Sequence, residues 1–193
     1  MSNALWYFGR GFGVSALVLF TIVVVLGIMT RAGCPLPGLP RFAVTMVHRT
    51  ASLSGALFLS LHILTLFFDP YAQLRLIDVV LPFVATYRPA WQGLGTVAAD
   101  LVLILIVSSL LRHRLGLRLW RVLHWSAYLC WPLALVHAVG TGTDRSTAWL
   151  LAVAAACVLA VLVALGWRLT SSVFAPPERP RRVAPPRDLA GLR

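Results

Sequence analysis

Long apolar runs separated by short polar segments dominate the pattern of hydrophobic and polar positions along this 193-residue chain. Each of five runs is long enough to cross a hydrocarbon core of about 30 Å, which takes about 20 helical residues. The pattern therefore predicts an all-α fold, a polytopic membrane bundle of five transmembrane helices. The predicted helices cover roughly residues 11–30, 42–68, 91–111, 119–140 and 147–169.

The segment between the second and third predicted helices, DPYAQLRLIDVVLPFVATYRPAW, is too long for a tight turn and too apolar for a free loop. Its apolar centre is shorter than a membrane span, and Pro70, Pro82 and Pro89 bracket it. We expect it to lie at the interface as a short helix, or to dip into the bilayer as a re-entrant cover.

The charge pattern argues for membrane lipid as a partner and against nucleic acid. The net charge of +11 comes from 17 arginines, which lie between the apolar runs and in the C-terminal segment. They do not form a basic face interleaved with aromatic residues, so nucleic-acid binding is not expected. Charges that flank membrane helices explain these arginines better.

The arginines divide unequally between the two sides of the predicted bundle, with four on one side and thirteen on the other. Because cytoplasmic loops carry the excess of basic residues, we expect a multi-pass protein of the cell membrane with an extracytoplasmic N-terminus and a cytoplasmic C-terminus. Residues 171–193 are rich in Pro and Arg with little to bury, which predicts a disordered cytoplasmic tail after a membrane domain of residues 1–170. The four outer arginines are Arg10, Arg75, Arg88 and Arg145.

Four of the five histidines lie on the second and fourth predicted helices, as His48 with His62 and His124 with His137. Separations of fourteen and thirteen residues correspond to about 20 Å along each helix axis. Both helices run from inside to outside, so the four side chains form two level pairs, one near each membrane face. A pair of neutral imidazoles facing each other across a bundle can bind a haem iron from both sides.

The rotation of the fourth predicted helix departs from this arrangement. Each residue of an α-helix turns the chain by about 100°. Fourteen residues therefore place His62 within about 40° of the helix face of His48, whereas thirteen residues place His137 about 140° away from the face of His124. Pro132 lies between His124 and His137. We therefore expect a kink or a wide turn at Pro132, where a backbone hydrogen bond is lost.

Other interpretations of the histidines lead to other functions. A single intramembrane histidine often makes only a helix–helix hydrogen bond, but four histidines matched in depth favour haem ligation. Zinc or copper is disfavoured because the pairs are about 20 Å apart and no Cys, Met or carboxylate stands at matching depth. The alternative function is a transporter-like bundle whose histidines bind a metal ion or relay protons, and a third is an assembly or scaffold subunit.

The stretches VHRTASLSGALFLSLHILTL and RVLHWSAYLCWPLALVHAVGTGTD, supported by YRPAWQGLGTVAADLVL, carry a family resemblance. With their histidine spacing, they resemble the ferric reductase-like transmembrane domain of ferric reductases, NADPH oxidases and the haem subunit of the bacterial methionine sulfoxide reductase system. The resemblance covers roughly residues 8–170. It implies a membrane cytochrome b with two non-covalent haem b groups, the inner one held by His48 and His124 and the outer one by His62 and His137.

The resemblance also implies a direction and partners for electron transfer. Electrons would pass from a cytoplasmic-side donor to an extracytoplasmic acceptor, which would be ferric iron, oxygen or a flavin-binding partner protein. Eukaryotic members continue into a flavin- and nicotinamide-binding domain, whereas this chain ends soon after the last predicted helix and has five helices where six are common. We therefore expect an electron-transfer (oxidoreductase) subunit with a separate flavoprotein or quinol as donor.

Several polar and aromatic residues near the histidines fit either a cofactor contact or an ordinary membrane role. Arg49 and Arg121 flank the inner histidines and are candidates to pair with haem carboxylates, as is Arg41, although positive-inside anchoring explains them equally. Asp100 fits a hydrogen bond to a ligand histidine, a proton path or a pair with an outer arginine. Trp125 and Trp131 fit packing on a macrocycle or interfacial anchoring, the more usual role of Trp at helix ends.

Overall fold

The computed structural model describes residues 4–31, 40–72, 74–141 and 147–174, and every regular element in these ranges is an α-helix. The predicted all-α membrane bundle is confirmed. Four helices are long and apolar enough to span a membrane singly, and two more form a fifth candidate span that is bent by 44°. The elements are α1 (Ala4–Arg31), α2 (Arg41–Phe67), α3 (Leu76–Val80), α4 (Pro89–Leu110), α5 (Arg112–His124), α6 (Ala127–Thr141) and α7 (Ala148–Phe174).

The observed helices differ from the predicted ones mainly at their ends. α1 begins at Ala4, seven residues before the predicted start, because the aromatic residues before Gly11 continue the helix. α7 runs to Phe174 and so includes the first residues assigned to the tail. The rest of that predicted tail, residues 175–193, and the loop residues 142–146 with Arg145 lie outside the described residues.

Helix α1 holds the bundle together, because it packs against α2, α6 and α7. Val24 and Ile28 of α1 form one buried cluster with Val161 and Ala164 of α7. Between α1 and α6 a side-chain hydrogen bond adds to the packing, since Trp131 Nε1 donates to Thr21 Oγ1 at 2.9 Å. Close packing and such hydrogen bonds join helices in lipid, where apolar burial alone gives no preference for protein over lipid tails.

The bend in the fourth span lies at Trp125 and Ser126, between α5 and α6, and not at Pro132 as predicted. Ser126 donates to the Leu123 carbonyl from both its backbone N–H (3.1 Å) and its hydroxyl (2.7 Å), and Tyr128 N–H bonds the Trp125 carbonyl. These bonds to residue i−3 define a tighter turn, in which each residue advances about 120° rather than 100°. The extra rotation turns the following residues back toward the face of His124.

The segment between α2 and α4 folds over one end of the bundle. Arg75 caps the five-residue helix α3, because its backbone N–H and its guanidinium both bond the buried Asp78 carboxylate. The Thr96 hydroxyl then donates to the Asp78 carbonyl at 2.8 Å, which fixes α3 on α4. Arg88 donates to the Gly140 carbonyl at 2.9 Å and ties the end of the segment to α6. The segment thus contains a short helix docked on the bundle, and whether it lies at the interface or dips into the bilayer stays a prediction.

Candidate functional site

The structure brings the four intramembrane histidines together in two pairs. His48 of α2 faces His124, the last residue of α5, with 6.4 Å between ring centroids and 55° between ring planes. His62 of α2 faces His137 of α6, with the same 6.4 Å separation and 81° between planes. These are the two level pairs that the residue spacing predicted.

The distance within each pair is the one that a shared metal atom requires. A metal–nitrogen bond of about 2.0–2.1 Å on each side, plus roughly 1.1 Å from that nitrogen to its ring centre, separates two ring centroids by about 6.3 Å. Two imidazoles in direct hydrogen-bonded or stacked contact would lie closer together. Both pairs therefore leave room for one metal atom between the rings.

The outer pair is oriented by backbone carbonyl groups. His62 Nδ1 lies 2.6 Å from the Gly9 oxygen, and His137 Nδ1 lies 2.8 Å from the Trp91 oxygen. Since a carbonyl only accepts hydrogen bonds, each Nδ1 carries the proton and each Nε2 keeps a lone pair. This is the tautomer of a metal-ligating histidine whose other nitrogen is held by a backbone partner.

Two glycines give the outer imidazoles the space they occupy. A Cβ added at Gly13 would lie 2.8 Å from His62 Nδ1, and one added at Gly95 would lie 2.5 Å from both Nδ1 and Cε1 of His137. Each ring therefore packs directly against the backbone of a neighbouring helix, α1 for His62 and α4 for His137. Neither glycine was predicted to belong to the site. Each lies inside an apolar span, which is the sequence feature that could have indicated a close contact there.

A cavity of about 540 Å³ surrounds the outer pair, between α1, α2, α4, α6 and the cover segment. Its volume is in the range of cofactor and ligand pockets, about 300–1,000 Å³. Most of the lining is apolar, as a macrocycle requires. Arg10 and Gln92 also line it, and Arg10 places a cation where it can meet a cofactor carboxylate. The distribution of arginines in the sequence predicted only that Arg10 lies on the outer side of the membrane.

The inner pair is held by neighbours of a different kind. His48 contacts the backbone of Val23 on α1. The Trp120 ring stacks on His124, with 5.0 Å between centroids and 26° between planes. The Arg112 guanidinium lies 5.1 Å above the centre of the same indole ring. Trp120 and Arg112 were not among the candidates that the sequence suggested.

The polar candidates near the histidines are placed less specifically. Arg49 and Arg121 have exposed side chains, and neither makes a hydrogen bond or ion pair with another described residue. Arg41 begins α2. Asp100 is half-buried on α4, and within the described ranges it bonds neither a histidine nor an arginine. Trp125 lies exposed at the bend, whereas Trp131 is the α6 residue bonded to Thr21.

The described ranges contain no group of three or more His, Cys, Asp and Glu side chains placed to hold a metal ion. Each histidine pair offers two ligands. A haem iron takes four nitrogens from its macrocycle and only its axial ligands from the protein, so two imidazoles complete its coordination. The donor set and the distance between the rings thus fit haem at both levels.

One comparison with known proteins gives a match. The profile of a family described as "Ferric reductase like transmembrane component" matches residues 12–135, well over half of the 193 residues. The match includes His48, His62 and His124 and ends two residues before His137. No curated protein and no solved structure matches the chain.

Proposed function

The chain belongs to the ferric reductase-like transmembrane family, whose members are membrane electron-transfer components that generally bind haem, and from this premise we propose that it is a membrane cytochrome b with two bis-histidine haems. His48 and His124 hold the inner haem iron, and His62 and His137 hold the outer one. The haems supply one-electron transfer when bound. The protein supplies the ligands, their orientation and an environment without water.

The observation that carries the proposal is the equal 6.4 Å separation of the ring centroids in both pairs. The same separation in both pairs matches two imidazoles that share one metal atom, and a buried polar ring that binds nothing is expensive in hydrocarbon. The carbonyl partners of His62 and His137 add a second argument, because they hold both outer rings in the ligating tautomer.

The proposed direction of transfer comes from the family resemblance, and the two levels of the site supply the path. Along α2 the histidines are fourteen residues apart, about 20 Å, so the pairs serve opposite halves of the membrane. Arg10 and Arg88, predicted on the outer side, both lie near the end of the bundle that contains the outer pair. With an extracytoplasmic N-terminus and a cytoplasmic C-terminus in the cell membrane, electrons enter at the inner pair and leave at the outer one.

The partners of this electron path are a reductant on the cytoplasmic side and an oxidant outside. We propose a separate flavoprotein or a quinol as the donor. The acceptor is ferric iron, oxygen or an extracytoplasmic flavin-binding protein. The chain then acts as the electron-transfer subunit of an oxidoreductase, in which Arg49, Arg121 and Arg41 are candidate partners of the inner haem carboxylates.

Optical spectroscopy of the purified protein tests the proposal. Reduction with dithionite should give a sharp α band and an intense Soret band, the signature of low-spin iron with two axial imidazoles. The matched control is His113→Ala, since His113 is exposed on α5 outside both pairs, and its spectrum should be unchanged. Protein that stays colourless after haem is added, and that instead binds a divalent cation, would support the transporter-like alternative and overturn this function.

A further inference from the structure

Trp120, next to the inner histidine pair, has a buried hydrogen-bond donor that no described residue satisfies. Its Nε1 atom is shielded from solvent and has no acceptor among the described residues. An indole N–H can only donate, so an acceptor must come from elsewhere. A buried donor without a partner destabilises a protein, so an acceptor for this N–H is expected.

The position of Trp120 beside His124 makes a ligand of the inner histidine pair the candidate acceptor. Trp120 comes four residues before His124 on α5 and so lies on the same helix face, one turn closer to the inner membrane surface. A group held between His48 and His124 would lie next to this indole, because the Trp120 ring stacks directly on His124. The inner edge of such a group, next to the arginine-rich helix α5, is where its anionic carboxylates are best stabilised.

Arg112 also contacts the indole. Its guanidinium lies 5.1 Å from the centre of the Trp120 ring, and the His124 imidazole stacks on the same ring. A guanidinium over an aromatic ring is an attractive contact, and it is stronger where water is excluded. The column Arg112–Trp120–His124 thus restrains both the indole N–H and the plane of the histidine ring.

We propose that Trp120 is a positioning residue of the inner haem, whose indole N–H donates to a haem carboxylate while its ring sets the plane of the His124 imidazole. The proposal rests on the proposed function, since it needs a haem between His48 and His124. It separates two roles of one side chain, donation by Nε1 and stacking by the ring. Each role can be removed by a different substitution.

Two variants distinguish these roles. Trp120→Phe keeps an aromatic ring in the stack and removes the donor, whereas Trp120→Leu removes both. Trp167→Phe is the matched control, because this tryptophan is 53% exposed on α7, away from both pairs. Haem content, a potentiometric titration, resonance Raman spectra of the haem carboxylates and low-spin EPR spectra are measured for each variant.

We expect Trp120→Phe to keep two haems per chain but to lower the midpoint potential of one of them. Losing a donor leaves more negative charge on the carboxylate, which favours the ferric state. The Raman band of that carboxylate should shift as well. Trp120→Leu should in addition change the EPR g values of the same haem, because the His124 plane is no longer restrained, and Trp167→Phe should change neither.

The indole band of the intact protein tests the same contact without a substitution. Ultraviolet resonance Raman should show one indole losing its hydrogen bond when haem is removed, and Trp120→Phe should lack that difference. A band that changes with the lipid headgroup but not with haem would assign the acceptor to lipid phosphate and overturn the proposal. Unchanged potentials and carboxylate bands in Trp120→Phe would overturn it too. A wild-type protein without haem would instead refute the proposed function.

Discussion

Replacing Gly95 with alanine should damage the outer haem site selectively. The added Cβ would lie 2.5 Å from Cε1 and Nδ1 of His137, whereas an ordinary carbon contact needs about 3.4–4.0 Å. The His137 ring must therefore move by about 1 Å. A shift of that size disrupts the 2.8 Å hydrogen bond from Nδ1 to the Trp91 carbonyl, since such bonds tolerate only a few tenths of an ångström.

The size of the effect follows from the role of that hydrogen bond. Removing the partner that orients a metal-ligating histidine typically weakens metal binding about 10–100-fold. We therefore expect Gly95→Ala to lose most of one haem during purification and to retain the other. Haem content per chain and a potentiometric titration measure this loss and identify the potential that disappears.

The control for this prediction is Gly27→Ala on α1. A Cβ at Gly27 meets nothing within 4 Å, and alanine is favoured over glycine in a helix by up to about 1 kcal/mol. This variant should keep both haems and melt no lower than wild type. If Gly95→Ala also kept both haems with unchanged potentials, then the packing of His137 against the α4 backbone would not govern the outer site.

Three further substitutions test the structure around the site, each by thermal unfolding in detergent. Thr21→Val leaves Trp131 Nε1 without its acceptor between α1 and α6 and should destabilise the protein by about 1–3 kcal/mol. Gly116→Ala places a side chain at a φ of 74° and should destabilise α5 by about 1 kcal/mol. The Arg75 guanidinium holds the pKa of the Asp78 carboxyl below its usual value. Stability from this pair is thus complete above the unfolded pKa of about 3.9 and is lost as the pH falls through the lower folded pKa. Asp78→Asn should be less stable than wild type at neutral pH and should lack this loss of stability in the acidic range.

Two of these variants have a matched control within the chain, and Asp78→Asn is compared with wild type. Thr30→Val removes an exposed hydroxyl that bonds only its own helix, so it should change the melting temperature little. Gly166→Ala adds a Cβ in open space within α7 and should not destabilise the protein. Equal effects of Thr21→Val and Thr30→Val would show that the bond between α1 and α6 contributes nothing. A pH profile of Asp78→Asn identical to that of wild type would show the same for the pair with Arg75.

The sequence was sufficient to predict the parts of this molecule that depend on local pattern. Apolar runs longer than a membrane span predict the five spans, with ends that differ from the observed ones by up to seven residues, because hydrocarbon requires all backbone hydrogen bonds to be made within a helix. The depth of each histidine follows from counting residues from the helix ends. These two features are enough to place His48 level with His124 and His62 level with His137.

The features that the sequence did not predict depend on contacts between distant residues or on a small difference in free energy between alternative backbone hydrogen bonds. Gly13 meets His62, and Gly95 meets His137, only after different helices have packed. The bend at Ser126 results from i−3 hydrogen bonds that compete closely with helical ones. Proline is the stronger sequence signal for a kink, and for that reason the bend was expected at Pro132.

The central claim, that each histidine pair binds one haem, is tested most directly by the haem content of paired double variants. Wild type should contain about two haems per chain, and each single histidine variant about one. His62→Ala/His137→Ala removes both ligands of one site and should also retain about one haem, whereas His62→Ala/His124→Ala damages both sites and should retain none. Equal haem content in these two double variants would contradict the assignment of the ligands to two separate pairs.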